Sequence, residues 1–129
     1  LAAGAVAAAA CVATAAPPRP LASGEQVYRR LCVACHATGV ENAPRFGDRE
    51  AWKPLIDEGQ DVLTAHGWVG VRGMPARGGD PGLALEEFAR ATAFMARASG
   101  GDWNDPDARM LHEIEEEIAE RLKSLDGKK

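Results

Sequence analysis

Apolar residues recur at helical spacing in successive stretches of this 129-residue chain, separated by glycine- and proline-rich breaks. The strongest stretch runs over 83–98, where Leu85, Phe88, Ala91, Thr92 and Met95 share one face. Glu86 and Glu87 fall in its first turn and Arg97 in its last, matching the helix dipole. Gly100-Gly101 ends it. Ala84 stands where a capping Ser or Thr is expected, a loss of about 1 kcal/mol. An earlier helix opens at Ser23, with Gln26 three residues on in capping-box spacing. Its apolar face is Val27, Tyr28 and Leu31, and Thr38-Gly39 breaks it. Asp48 caps a short helix near Arg49 to Trp52. Another starts at Pro54, with Leu55, Ile56, Val62 and Leu63 as core residues and Gly59 as its weak point. Asp105-Pro106 reads as N-cap and first residue of a last helix over 106–125. Leu111, Ile114, Ile118, Leu122 and Leu125 form its stripe, which must bury against the rest of the chain or dock a second subunit. These patterns predict an all-α fold of three to four helices plus an extra C-terminal helix.

Leu1 to Ala16 is a run of small apolar residues, the core of a secretory signal or a membrane anchor. It falls short of the roughly 20 residues that span a bilayer. Ala13-Thr14-Ala15 has the form of a cleavage site, and Cys11 after three alanines faintly resembles a lipid-acceptor cysteine. Pro17-Pro18-Arg19-Pro20 reads as a stiff spacer. The expected organisation is a signal or anchor over 1–16, a linker over 17–22, a helical domain over 23–100 and an acidic extension over 101–129. Each fate of the N-terminus places the domain outside the cytoplasm, in the periplasm, free or held at the inner membrane.

Charge sharpens this division. The net charge is −4, with 19 acids against 15 bases. Residues 23–100 are nearly neutral, with ten acids and nine bases, while residues 101–129 carry nine acids and five bases. There is no basic face of the kind a nucleic-acid binder needs. Only 5% of residues are aromatic, so the core is thin for the chain length. A large apolar prosthetic group would compensate for it.

Cys32-Val33-Ala34-Cys35-His36 supplies such a group. Cys-x-x-Cys-His is the attachment signature of c-type haem. Each thiol adds across one vinyl group of the porphyrin, and the following imidazole faces the iron. A thioredoxin-like pair would need a βαβ setting, and a zinc site would need a second ligand cluster; neither is present in the sequence. A Cys32–Cys35 disulfide would be a strained ring that leaves His36 unexplained. The candidates for the iron's sixth ligand are Met74, His66, Met95, Met110 and His112, the alternative being an open site. Met74 lies in the glycine-rich loop 70–79 before Pro75, a setting that brings backbone close to a porphyrin and is favoured here. Met95 sits on a core-like helix face.

The segment Gly24 to Ala98 resembles the bacterial class I cytochromes c, most closely the cytochrome c5 type. The strings that carry the resemblance are Gly24-Glu25-x-Val27-Tyr28 and Cys32 to Gly39, then Ala43-Pro44-Arg45-Phe46-Gly47-Asp48 with Ala51-Trp52. Gly59, His66, Gly70, Met74-Pro75-x-x-Gly78-Gly79 and Glu86-Glu87-Phe88 complete it. It implies the class I cytochrome c fold around one haem c, bound through Cys32 and Cys35 and ligated axially by His36 and Met74. It further implies that the Pro44 carbonyl holds the His36 ring, that Tyr28 and Phe94 sit at a helix crossing, and that Trp52 lies near a haem propionate. Val69 and Val71 depart from the Asn and aromatic residue frequent in the family. The implied function is a mono-haem one-electron carrier, not an enzyme, exchanging electrons with redox protein partners. The alternative is a haem c subunit of a larger membrane-bound or periplasmic oxidoreductase complex. Arg45, Arg72 and Arg77 are candidates for steering an acidic partner.

Overall fold

The structure is a computed structural model that describes residues 1–5, 7–13 and 18–128. Among the described residues six α-helices occur in chain order: α1 (Gly24–Val27), α2 (Val33–His36), α3 (Arg49–Asp57), α4 (Gln60–Val69), α5 (Leu85–Ala98) and α6 (Ala108–Asp126). A π-helical turn, Tyr28–Cys32, joins α1 to α2 into one continuous rod. Among the described residues the extended pairing is a single Val71–Met74 bridge. The expected all-α class holds.

Ser23 caps α1 as expected. Its hydroxyl accepts from the Gln26 amide at 3.1 Å and its own amide donates to the Gln26 side chain at 2.8 Å. α1 then lies directly on α5. A Cβ at Gly24 would stand 2.2 Å from the Arg90 carbonyl oxygen, so only glycine lets the two backbones meet. Tyr28, Phe46 and Phe94 brace the contact, with Tyr28–Phe94 centroids 5.7 Å apart and Tyr28–Phe46 centroids 4.5 Å apart. One buried cluster of Val27, Leu83, Phe88 and Ala91 grows from this crossing. A second gathers Trp52, Met95 and Ala96. Cys32 packs against both.

The middle helices divide differently from the sequence expectation. α3 runs unbroken through Pro54, and the break falls at Gly59, whose φ of 106° is open to glycine. Pro54 lies past the first turn, and the carbonyl it leaves unpaired, on Glu50, sits in the exposed N-terminal turn where water can reach it. The last helix also starts later than expected. Asp107, and not Asp105, is the N-cap, accepting from the Met110 amide at 2.8 Å. Asp105 instead pairs with Arg97. α6 packs along α4 with Ile114 fully buried, so the stripe folds back onto the domain. Its far end does not: Leu122 stays 49% exposed.

Glu87 is the residue that sequence patterning misplaced. It is fully buried and gathers four donors: both Arg19 nitrogens at 2.8 and 2.6 Å, the Ala22 amide at 2.8 Å and the Ala84 amide at 3.2 Å. It thereby supplies one half of a capping box, accepting from the amide of Ala84, whose own side chain offers no acceptor to the first turn. It also ties down the expected spacer, because Arg19 is clamped onto α5. The expected cleavage string Ala13-Thr14-Ala15 and the start of the spacer at Pro17 lie outside the described residues in part. The described part of 1–13 is exposed and has no regular structure, and no described helix is long and apolar enough to cross a membrane.

Gly24→Ala will force α1 off α5 and cost about 3 kcal/mol, the upper part of the range for overpacking, measured by denaturant unfolding. The hydrogen bond from Arg19, then those from Ala22 and Ala84, hold Glu87 down from its ordinary 4.5 to about 2. A depressed carboxylate stabilises the fold above its unfolded value and stops doing so as the pH falls through its folded one. Stability will therefore drop between about pH 4.5 and pH 2. Glu87→Gln will flatten that part of the profile, as read by circular dichroism.

Candidate haem site

The rod α1–π turn–α2 delivers the motif. A π turn contains one more residue per hydrogen-bonded ring than an α turn, so it rotates the residues after it relative to those before it. Here it lies between Val27, which faces α5, and Cys35-His36. Cys32 and Cys35 are half-buried and unpaired. Burial pushes the Cys32 thiol up to about 11, which keeps it protonated at neutral pH.

His36 is buried at 7% exposure, and its Nδ1 lies 2.8 Å from the Pro44 carbonyl oxygen. A carbonyl only accepts, so Nδ1 carries the proton and Nε2 keeps its lone pair for a metal. The loop holding Pro44 is itself pinned. The Phe46 amide donates to the His36 carbonyl at 2.7 Å, and the Trp52 indole N–H donates to the Arg45 carbonyl at 3.0 Å. The Gly47 amide donates to the buried Ser99 hydroxyl at 3.0 Å. Trp52 is buried with its ring centroid 6.3 Å from that of His36. Its N–H is committed to Arg45, so its visible role is to shape the His36 side of the site. Ser99 carried no signal in the sequence beyond its place before the glycine pair.

Met74 stands opposite in sequence order, in a loop shaped by glycine. Gly70, at φ 103°, turns the chain back so closely that a Cβ there would meet the Ala76 amide at 3.1 Å. Val71 and Met74 exchange backbone hydrogen bonds of 3.1 and 2.9 Å. Met74 packs inward on the cluster of Val27, Leu83, Phe88 and Ala91 that Cys32 also touches. Its Cε lies 3.7 Å from where a Gly67 Cβ would be, an ordinary contact distance, while the room the glycine leaves is taken by Phe88, whose Cζ would meet that Cβ at 3.0 Å. The other candidates are placed elsewhere. Met95 is buried beside Trp52, His112 is exposed next to Glu116, and Met110 lines a cavity under α6. His66 is half-buried on α4.

Leu31, Leu55, Leu63 and Trp68 surround these groups as half-buried apolar walls. The donor set fits haem c: two thiols for the vinyl groups, an imidazole with one nitrogen committed, a thioether and an apolar lining. It fits zinc poorly, since among the described residues no three of His, Cys, Asp and Glu come together to hold a metal.

Among the arginines, Arg77 lies over the Trp68 ring at 4.6 Å and donates to the Pro81 carbonyl at 3.0 Å. It is part of the loop's framework. Arg45 and Arg72 are exposed. Trp52→Phe keeps the ring and removes the bond to Arg45. It will lower stability by about 1 kcal/mol without preventing haem attachment, as read by thermal unfolding and by haem stain on a denaturing gel.

Known proteins identify the family. A family model described as cytochrome c oxidase, cbb3-type, subunit III, matches residues 19–95. Cytochrome c-555 of Chlorobaculum thiosulfatiphilum is 40% identical over 82 residues, which cover 60% of this chain and 95% of that protein. Cytochrome c5 of Azotobacter vinelandii is 45% identical over 76 residues, covering 57% of this chain and 92% of that protein. A chain in the crystal structure of an electron-transfer complex of nitrite reductase with cytochrome c superposes with a TM-score of 0.57 at 43% identity. It covers 59% of this chain and 93% of that one. With its Cys-x-x-Cys-His rod, helical fold and these relatives, the chain belongs to the cytochrome c family as a c5-like, class I member that carries covalently bound haem c.

Proposed function

We propose that this chain is a one-electron carrier in which His36 and Met74 are the axial ligands of a single haem c attached through Cys32 and Cys35. The observation that carries this reading is the packing of Met74 onto the same buried cluster as Cys32. When bound, the haem supplies an iron couple that takes up and releases one electron. The chain's part is to hold that couple steady. His36, fixed by Pro44, presents Nε2 without rotating. Met74, fixed by its hydrogen bonds to Val71, offers a thioether, which favours the reduced metal more than a second imidazole would. With both axial positions filled by protein, no position remains for a substrate, so the reading is a carrier and not an enzyme.

The partners are other redox proteins, met in small transient encounters. Arg45 and Arg72, exposed on the loops next to Pro44 and Met74, are the charges offered to an acidic partner. Haem c attachment and the apolar N-terminal run together support a place outside the cytoplasm, in the periplasm. The organisation proposed is an N-terminal signal, a haem domain extending from Arg19 to Gly100, and an acidic C-terminal helix. The family description as an oxidase subunit supports a second reading, a haem c subunit of a larger complex. A chain that elutes as a monomer in salt speaks for the free carrier.

Intact mass of the purified protein under denaturing conditions will show one covalent haem. The oxidised protein will show the weak far-red absorption band of thioether ligation, and Met74→Ala will abolish it while keeping the covalent haem. A band that persists in Met74→Ala would overturn the ligand assignment.

A further inference from the structure

The loop that follows His36 meets the loop that bears Met74. The turn Val40–Asn42 lies just before Pro44, the partner of His36. Gly73 lies just before Met74. A Cβ on Gly73 would stand 2.9 Å from the Glu41 Cβ and 3.4 Å from its Oε2, so the Glu41 side chain rests on the Gly73 backbone. Both sides of the contact are shaped for it. Glu41 and Asn42 have φ of 52° and 61°, left-handed values that non-glycine residues rarely adopt. Gly39, at φ 84°, starts the turn, and the Ala43 amide closes it onto the Val40 carbonyl at 3.0 Å. On the other side, the two backbone bonds between Val71 and Met74 make 71–74 a small rigid hairpin with Gly73 near its tip. Pressure at Gly73 is therefore passed to Met74 and is not absorbed by the loop.

We infer that Glu41 and Gly73 form a latch that couples the His36 loop to the Met74 loop and sets how readily Met74 leaves the iron. Both are positioning residues: they act through Pro44 and Met74. The inference rests on Met74 being the sixth ligand. The latch also explains why a glutamate occupies a backbone position that suits glycine better. Its side chain is what makes the contact, and the cost of the conformation is borne by the turn.

The test uses the full haem-loaded chain and added imidazole as a competing ligand for the oxidised iron. A competing ligand binds only the fraction of molecules from which Met74 has departed, so its apparent affinity reports that fraction. Glu41→Gly removes the contact and relieves the left-handed strain. It is expected to leave the thermal midpoint unchanged or raised while the apparent Kd for imidazole falls by about fivefold or more. Gly73→Ala is expected to lower that Kd as well, by wedging the loops apart. The double variant has room for the new methyl, so it should match Glu41→Gly alone and not the product of the two effects. The far-red band should be present in all three before imidazole is added. Unchanged imidazole affinity in Glu41→Gly, with the band intact in the wild type, overturns the latch alone. Multiplicative effects in the double variant overturn it as well. Absence of the band in the wild type overturns the ligand assignment and the latch with it.

Discussion

The backbone contact between α1 and α5 is the constraint from which the rest of the site is set. Gly24 abuts the Arg90 carbonyl, and no side chain fits between them. The remainder of α1, the π turn and α2 form one rod, so its seating decides where Cys32, Cys35 and His36 stand. Tyr28, Phe46 and Phe94 hold the rod against rotation at that crossing. Phe46 also belongs to the loop after His36, and its amide returns to the His36 carbonyl. The crossing thus locks the His36 side twice, once through the rod and once through the loop. Burial alone would not do this, because apolar burial is not directional; the glycine contact supplies the register.

The two sides of the site are stiffened by different physics. Around His36 the bonds are polar and converge from distant parts of the chain: Pro44, the Trp52 indole through Arg45, and Ser99 through Gly47. Around Met74 they are short-range, with Val71 and Met74 bonded to each other and Gly70 permitting close approach to Ala76. Local loops of this kind open more easily than elements tied to the core. An imidazole–iron bond at His36 would therefore be backed by the fold, and a thioether–iron bond at Met74 mainly by its own loop. This is why one exposed contact from Glu41 carries weight on the Met74 side.

Most of this was legible where the signal was local. Cys32-Val33-Ala34-Cys35-His36 is a covalent requirement written in five residues, and the helices at Ser23 and Leu85 announce themselves by capping and spacing. The placement of Met74, and of Tyr28 with Phe94 at the crossing, followed the resemblance to the c5 type. What local patterning missed was long-range. Glu87 looked like a dipole-facing surface acid, but its partners Arg19 and Ala22 lie more than sixty residues away. The start of α6 went to the wrong aspartate because Asp105 and Asp107 are equally good caps locally, and only the pairing of Asp105 with Arg97 separates them. Ser99 and Glu41 gave no sequence signal because each acts through backbone that other segments bring to it.

The two ends of the chain attach to the domain by opposite means, and this bears on what each can do. At the N-terminal end the attachment is a point. Arg19 grips one buried carboxylate, while the described residues before it are exposed. Whatever precedes Arg19 therefore leaves the domain from a defined place on α5, and a pull on it would load the Glu87 hydrogen bonds before any core contact. At the C-terminal end the attachment is a face. Ile114 is buried on α4, but the packing weakens along α6 until Leu122 is largely exposed. The later turns also carry local pairs such as Lys123 with Glu120, each worth about 0.3 kcal/mol. The first half of the helix is thus part of the fold that supports α4, and its second half keeps Ile118, Arg121 and Leu125 half-buried while Leu122 faces outward. The net negative charge of the chain is concentrated on this helix, which packs along α4, the helix whose Gly67 stands within van der Waals reach of Met74. The extension therefore buttresses the Met74 side of the site through α4, while Glu115, Glu116 and Glu120 stay exposed, where salt screens them.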